Sequence, residues 1–150
     1  MAAVNGTLYA VFSAVGTLAT PITSADRIFS CKTSSFKCDV DLPDASTKES
    51  AGWAEHLNGG GLKNWSIDFS GIWNESGTAT SLTFAEILAL IIAGNVMRKV
   101  AFCPTVLGVA SVGWSGMGSF KGVQVGADME APMTSSGSII GSGPVAVFTT

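Results

Sequence analysis

The sequence predicts a mainly β protein, a β-sandwich or partly closed β-barrel with one packed α-helix, and three observations lead there. Residues 62–73 alternate apolar and polar side chains, the period of a half-buried strand. From residue 96 onward, four more β-rich stretches are separated by glycine or proline. Only one segment has helical character, and a capping box formed by Thr83 and Glu86 opens it. At 150 residues the chain has the usual size of one domain, residues 1–150, able to hide about 70% of its unfolded surface.

The elements follow in order. Residues 7–13 are β-rich and bounded by Asn5 and Gly6, and residues 15–19 are expected to continue toward a turn at Pro21. Residues 27–32 and 36–42 flank Thr33, Ser34 and Ser35, which suggests a hairpin. After Pro43 the chain turns polar through residues 44–53 with no periodicity and no core-forming side chain before Trp53, the mark of a long loop. Such loops are uncommon in compact domains unless they function or are ordered by a neighbour. A solvated loop is the plain alternative.

Along residues 62–73, Trp65, Ile67 and Phe69 share one face, and Asn64, Ser66, Asp68 and Ser70 share the other. Gly71 is expected to permit a bulge before Ile72, Trp73 and a turn over residues 74–77. The tryptophans, with Ile67 and Phe69, are anchors of the core or of an interface. The helix opened by Thr83 presents Leu88, Leu90, Ile91 and Ile92 and stops at Gly94 and Asn95. It is too short to stand alone in water and must lie on the sheet. Residues 96–104, 110–115, 118–129 and 137–148 are the four later strands, and Phe120, Gly122, Gln124 and Gly126 form a face of small side chains against Lys121, Val123, Val125 and Ala127.

Charged residues make up 13% of the chain, about half the usual quarter. A surface so poor in charge favours covering by copies of itself. The net charge is −3 and no basic run exceeds Arg98-Lys99, so the footprint of a protein that grips phosphate is missing. Cys31, Cys38 and Cys103 are odd in number and suit free thiols in a reducing cytoplasm, and a single histidine, His56, cannot complete a zinc site with them. No cofactor is called for. Neither residues 1–20, with no cation before Arg27, nor the ten residues 84–93 has the form of a signal peptide or membrane span.

No catalytic constellation emerges. A serine or cysteine nucleophile needs a base, and only His56 is offered. Asp39 and Asp41 share one side of a strand in the manner of a solvated face. The glycines of residues 113–122 lack the Gly-Lys-Ser/Thr ending of a phosphate loop and are better assigned to strand flexibility. The chain is therefore not expected to be an enzyme.

One window is specific. Ser46, Thr47, Lys48, Glu49, Ser50, Gly52 and Trp53, followed after a glycine turn at residues 59–61 by Leu62, Lys63, Asn64, Trp65, Ser66 and Ile67, resemble the shared signature of the major tail tube proteins of long-tailed bacteriophages. Residues 127–144, ending Gly141-Ser-Gly-Pro144, look like that family's closing hairpin, and together the matches span about half the chain. An extra glycine among residues 59–61, Asn64 in place of serine, and a weakly matching first third depart from the pattern.

The resemblance implies a structural virion protein. It self-assembles into stacked, hexameric rings that form the tail tube, the conduit for DNA delivery. Residues 44–53 would form its inter-subunit assembly loop and Trp65, Ile67, Phe69 and Trp73 its anchors. Neighbouring subunits would join sheets edge to edge, which turns the hazard of an unpaired strand into an assembly device. The implied partners are further copies, the tape measure, tail terminator and distal tail or baseplate proteins, and viral DNA passing through without sequence-specific binding or membrane insertion. The implied location is the virion tail, assembled in the host cytoplasm. Alternatives are the inner tube of a contractile tail or injection device and, more distantly, a carbohydrate-binding β-sandwich with Trp53 or Trp114 stacked on a sugar.

Overall fold

The structure is a computed structural model that describes residues 9–23, 26–28, 31–58, 61–73, 82–94, 97–104 and 112–149. Its strands are β1 (Tyr9–Ala14), β2 (Cys31–Val40), β3 (Lys63–Ile72), β4 (Arg98–Pro104), β5 (Val112–Gly126) and β6 (Thr134–Thr149), with helix α1 (Phe84–Ile92) between β3 and β4. They form one antiparallel sheet in the order β1-β4-β5-β6-β3-β2. The sheet curls into a half-barrel that brings its outermost strands β1 and β2 into contact. Of the two architectures expected, this is the partly closed barrel.

Alternation in β3 sets the inside and outside. Trp65, Ile67 and Phe69 are buried at 5%, 1% and 2% exposure, while Asn64 and Asp68 are exposed. They join Val11, Ile28, Val100, Phe120 and Ile139 in the main core, and Trp73 packs against it half-buried. Each such large side chain contributes about 1.5–3 kcal/mol on burial. Gly71 continues the inward row instead of bulging, and the irregularity lies opposite it, between Cys31 and Thr33 of β2.

Two aromatic groups close the curl. Phe36 of β2 stacks on Trp114 of β5 at 5.7 Å and lies 6.3 Å from both Trp65 and Phe102, so the strand at one border reaches across the interior to β4 and β5. Nearer the other end, Phe84 of α1 lies 5.6 Å from Phe69. The helix starts where the capping box predicts. Thr83 N donates to Glu86 Oε2 at 2.7 Å and Glu86 N to Thr83 Oγ1 at 3.3 Å, while Gly94, at φ +110°, ends it. Its inward residues are Phe84 and Ile87, with Leu90 and Ile91 packed beside them. Ile92, expected on the apolar surface, is 78% exposed because it falls almost a quarter turn off that face.

Three predicted boundaries fail. The hairpin around Thr33, Ser34 and Ser35 is a single strand, since these residues pair in register with Ser70, Phe69 and Asp68. No glycine or asparagine there supplies the positive φ of a tight turn. Residues 15–20 turn instead of extending β1. The two stretches 110–115 and 118–129 merge into β5, and the expected break is a register shift between Ser115 and Met117. A second shift between Phe120 and Gly122 undoes the small face, because it returns both Phe120 and Val123 to the core. Expectations for Thr7, Leu8, Gly59, Gly60, residues 74–77, Asn95, Val96, Ala110 and Ser111 fall outside the described residues.

Candidate assembly surfaces

The polar loop is an ordered arm. Between β2 and β3 the chain leaves the sheet as a narrow ribbon in which Asp41 N donates to Leu62 O at 2.9 Å, Leu57 N to Pro43 O at 3.1 Å and Ala45 N to Glu55 O at 2.8 Å. A 3-10 turn, Lys48–Ser50, forms its tip. From 41 to 58 every residue is exposed except Ala45, half-buried, and Ser50, buried against its own turn.

The seven signature residues divide into two groups. Four shape the tip. Ser46 Oγ accepts from Glu55 N at 2.9 Å, Thr47 Oγ1 accepts from Glu49 N at 3.3 Å, and Ser50 Oγ accepts from Thr47 N at 3.0 Å. Gly52, at φ +86°, follows Ala51 at φ +49°, a left-handed pair that glycine tolerates and that sends the chain back. Hydrogen bonds from Ser46, first its hydroxyl and then its backbone N–H, hold the Asp44 carboxyl below its ordinary pKa. The other three, Lys48, Glu49 and Trp53, are displayed to solvent, and Trp53 is 79% exposed. Val40, Leu42, Leu57 and Leu62 along the arm are exposed as well, an apolar series not singled out from the sequence. Its signal was four aliphatic side chains embedded in an otherwise polar stretch.

The anchors are elsewhere. Trp65, Ile67, Phe69 and Trp73 gather in the barrel interior, away from the arm tip. The Trp65 indole lies over Gly116 and Gly141, where a Cβ would strike it, and close to Gly118, where a Cβ would strike Ile139, and its Nε1 donates to Gly143 O at 3.0 Å. Gly116 and Gly118, expected to serve strand flexibility, instead make room for side chains. Trp114, considered for sugar stacking, is half-buried among Tyr9, Phe36 and Phe102.

Among the described residues, several stretches of strand have a paired strand on one side only, one of them the part of β5 beyond Gly118, against which α1 packs. β2 pairs with β3 on one side only. β6 pairs with β3 from Thr134 to Ile140, and beyond that its remaining half pairs with β5 alone. The opposite border, β1, is partly covered, since Ile28 N donates to Val11 O at 2.9 Å and Arg27 bridges Phe12.

Over β2, β3, the later part of β5 and the start of β6 the convex side is polar, while over β1 and β4 it buries Ala10, Phe12, Ala101 and Cys103 beneath Ile22 and Phe148. Cross-strand rows place Thr33, Ser70, Ser136 and Gln124 side by side, and Ser35, Asp68 and Ser138 in the next row beside Lys121 and Gly122. Lys37 pairs with Asp39 at 2.7 Å, which raises the lysine pKa through that hydrogen bond. Asp39 therefore answers a lysine, not Asp41. Hydroxyls and glycine dominate these rows, with no cationic cluster among the described residues there to hold a polyanion.

Chemistry is sparse. All three cysteines are free: Cys38 exposed, Cys31 half-buried with its thiol pKa raised by burial, and Cys103 buried and pushed up to about 12 for the same reason. Cys31 and Cys38 stand seven positions apart on one extended strand, about 23 Å, and cannot meet. His56 sits on the arm opposite Asp44. Among the described residues no group of three potential ligands could hold a metal, and no helix is long and apolar enough to cross a membrane.

A family model described as phage tail tube protein matches residues 7–85, just over half of the chain. No curated protein matches it. Among solved structures, the chain is similar to one from the tail of an empty GTA (gene transfer agent) particle obtained by helical refinement with C6 symmetry. The TM-score is 0.76 at 14% identity, covering 97% of this chain and 99% of that one. It is also similar to the SPP1 tail tube, at TM-score 0.67 and 10% identity over 99% of this chain and 80% of that one. A chain of the 6-fold symmetrised anti-feeding prophage baseplate gives TM-score 0.67 at 9% identity, over 99% of this chain and 96% of that one. At such identities the structural likeness is one of fold.

Proposed function

The chain belongs to the phage tail tube protein family, and from that premise we propose that it folds as one domain and closes into rings of six that stack as the wall of a tail. The passage they enclose delivers DNA to the host. The observation that carries this reading is the unpaired outer border of β2, where alternate residues of the strand direct backbone donors and acceptors toward no paired strand among those described. An open border of that length recruits another strand, and a closed ring meets the demand with a copy of itself. The free half of β6 supplies a complementary border. Six per ring is supported by the C6 symmetry of the gene transfer agent tail with the same fold.

The hydroxyl-rich part of the convex side suits the wall of the passage, because a surface whose described residues form no cationic cluster lets a polyanion slide. The arm, with Lys48, Glu49 and Trp53 displayed, clasps the adjoining ring. At its ends the tube meets terminator, tape measure and distal tail or baseplate proteins, and it is assembled in the host cytoplasm before joining the virion. No catalytic role is assigned. The fold shared with an anti-feeding prophage baseplate chain favours, as a second reading, the inner tube of a contractile device. A surrounding sheath would separate the two.

Negative-stain micrographs of the purified protein test the reading. Rings or tubes are expected, and a monomer by light scattering at every concentration would overturn it. Deleting residues 45–51 should leave a folded subunit unable to polymerise. Normal tubes from that deletion would remove the arm's role.

A further inference from the structure

We propose that the arm of one copy seats on the β5–β6 hairpin of a copy in the next ring, with Trp53 against Met129 and Met133. The proposal rests on the tail tube reading and names the surface that receives the arm. Register places the two features at opposite ends of β3. The arm leaves where Val40 pairs with Lys63, and the hairpin of residues 127–133 leaves where Thr134 pairs with both Ile72 and Gly126. Between them lie the ten residues of β3, about 30 Å.

Each end carries apolar side chains that the subunit does not cover. Trp53 is 79% exposed and Leu57 52% on the arm, while Met129 is 94% exposed and Met133 39% on the hairpin. The methionine tip is set in place: Trp73 N donates to Met133 O at 2.9 Å, and Glu130 turns the chain at φ +65°. Thioether against indole is a favourable contact. One charge pair is available to the contact, since the hairpin offers Asp128 and Glu130, and Lys48 in the arm tip has no ion pair among the described residues.

Two unlike patches at opposite ends make a head-to-tail contact, which repeats without limit along an axis. Pairing arm to arm or hairpin to hairpin would stop at a dimer. A handful of side chains covers far less than the ~800 Å² per partner that a stable complex needs. One contact is therefore weak, and stacking follows ring closure, when every copy in the ring engages at once.

The first test, a cross-link, keeps Trp53 and Met129 intact. In a Cys38→Ser background, Glu49→Cys and Glu130→Cys are combined, assembled and treated with a short bismaleimide, and cross-linked peptides are identified by mass spectrometry. A link between positions 49 and 130 is expected, and their separation within one subunit makes it intermolecular. Trp53→Asp and Met129→Asp should each leave single rings without stacked tubes. Tubes that form with no such link, or that persist in both aspartate variants, would overturn the proposal and leave the tail tube reading standing. Wild-type protein that forms neither rings nor tubes would remove both.

Discussion

The Trp65 indole N–H donates to the Gly143 carbonyl at 3.0 Å, tying β3 to β6 just beyond the point where their ladder ends. Gly143 holds φ +82°, so the carbonyl that receives the bond belongs to a residue in the left-handed region. The β5–β6 register shifts there, since residues 143–145 fall between the Ser115–Ala146 and Met117–Ser142 pairs. Trp65→Ala should cost about 3–5 kcal/mol through the cavity and the lost contacts. Thermal unfolding checks this, and an unchanged transition would show that the ring is not a core element.

Gly141 leaves no room for a side chain, because a Cβ would overlap the Trp65 ring itself. Gly141→Ala should destabilise by about 1–3 kcal/mol, as overpacking does. Chemical denaturation of the two proteins measures it, and combining the change with Trp65→Phe should recover part of the loss. Equal stability of Gly141→Ala and the parent would contradict the ring's position.

The three thiols should react in a fixed order. Cys38 is exposed, Cys31 is half-buried with its pKa raised, and Cys103 is buried with its pKa near 12 as a result. Thiolate is the reactive form. Alkylation at neutral pH followed by mass spectrometry should modify Cys38 first and Cys103 only on unfolding. Early labelling of Cys103 would contradict its burial between β1, β4 and Phe148.

Acid should loosen the arm tip. The Asp44 pKa is lowered in the folded state by hydrogen bonds from Ser46, so the contribution is present above the unfolded value and lost as pH falls through the folded one. From neutral pH down to about 4 the tip should hold, and below that the Ser46 amide should shift as the bond breaks. Asp44→Asn should flatten the response. Amide NMR across that range checks it, and an identical acid profile in the variant would assign the shift to another group.

What the sequence disclosed was local. β3 alternates so regularly that Trp65, Ile67 and Phe69 declare their face, and the helix start follows from Thr83 and Glu86 facing each other one turn apart. The arm's shaping residues were visible in the signature because serine, threonine and glycine serve turns through their own hydroxyls and permissive backbone. Pairing across long separations was hidden. Ser34 and Ser35 suit a turn as well as a strand, and only Phe69 and Asp68 opposite them decide for the strand. Gly116 resembled a break in β5 until Trp65, far away in sequence, occupied the space above it. Exposed Met129 gave no local sign, since nothing in its neighbours says that the subunit leaves it bare.

The central claim is that β2 receives a strand from another copy. Hydrogen exchange of the β2 backbone amides, compared between the dispersed subunit and assembled tubes, measures that pairing directly. The account predicts that the amides of Cys31–Val40 directed away from β3 exchange quickly in the subunit and become protected in the tube. Fast exchange of those same amides inside well-formed tubes would contradict it.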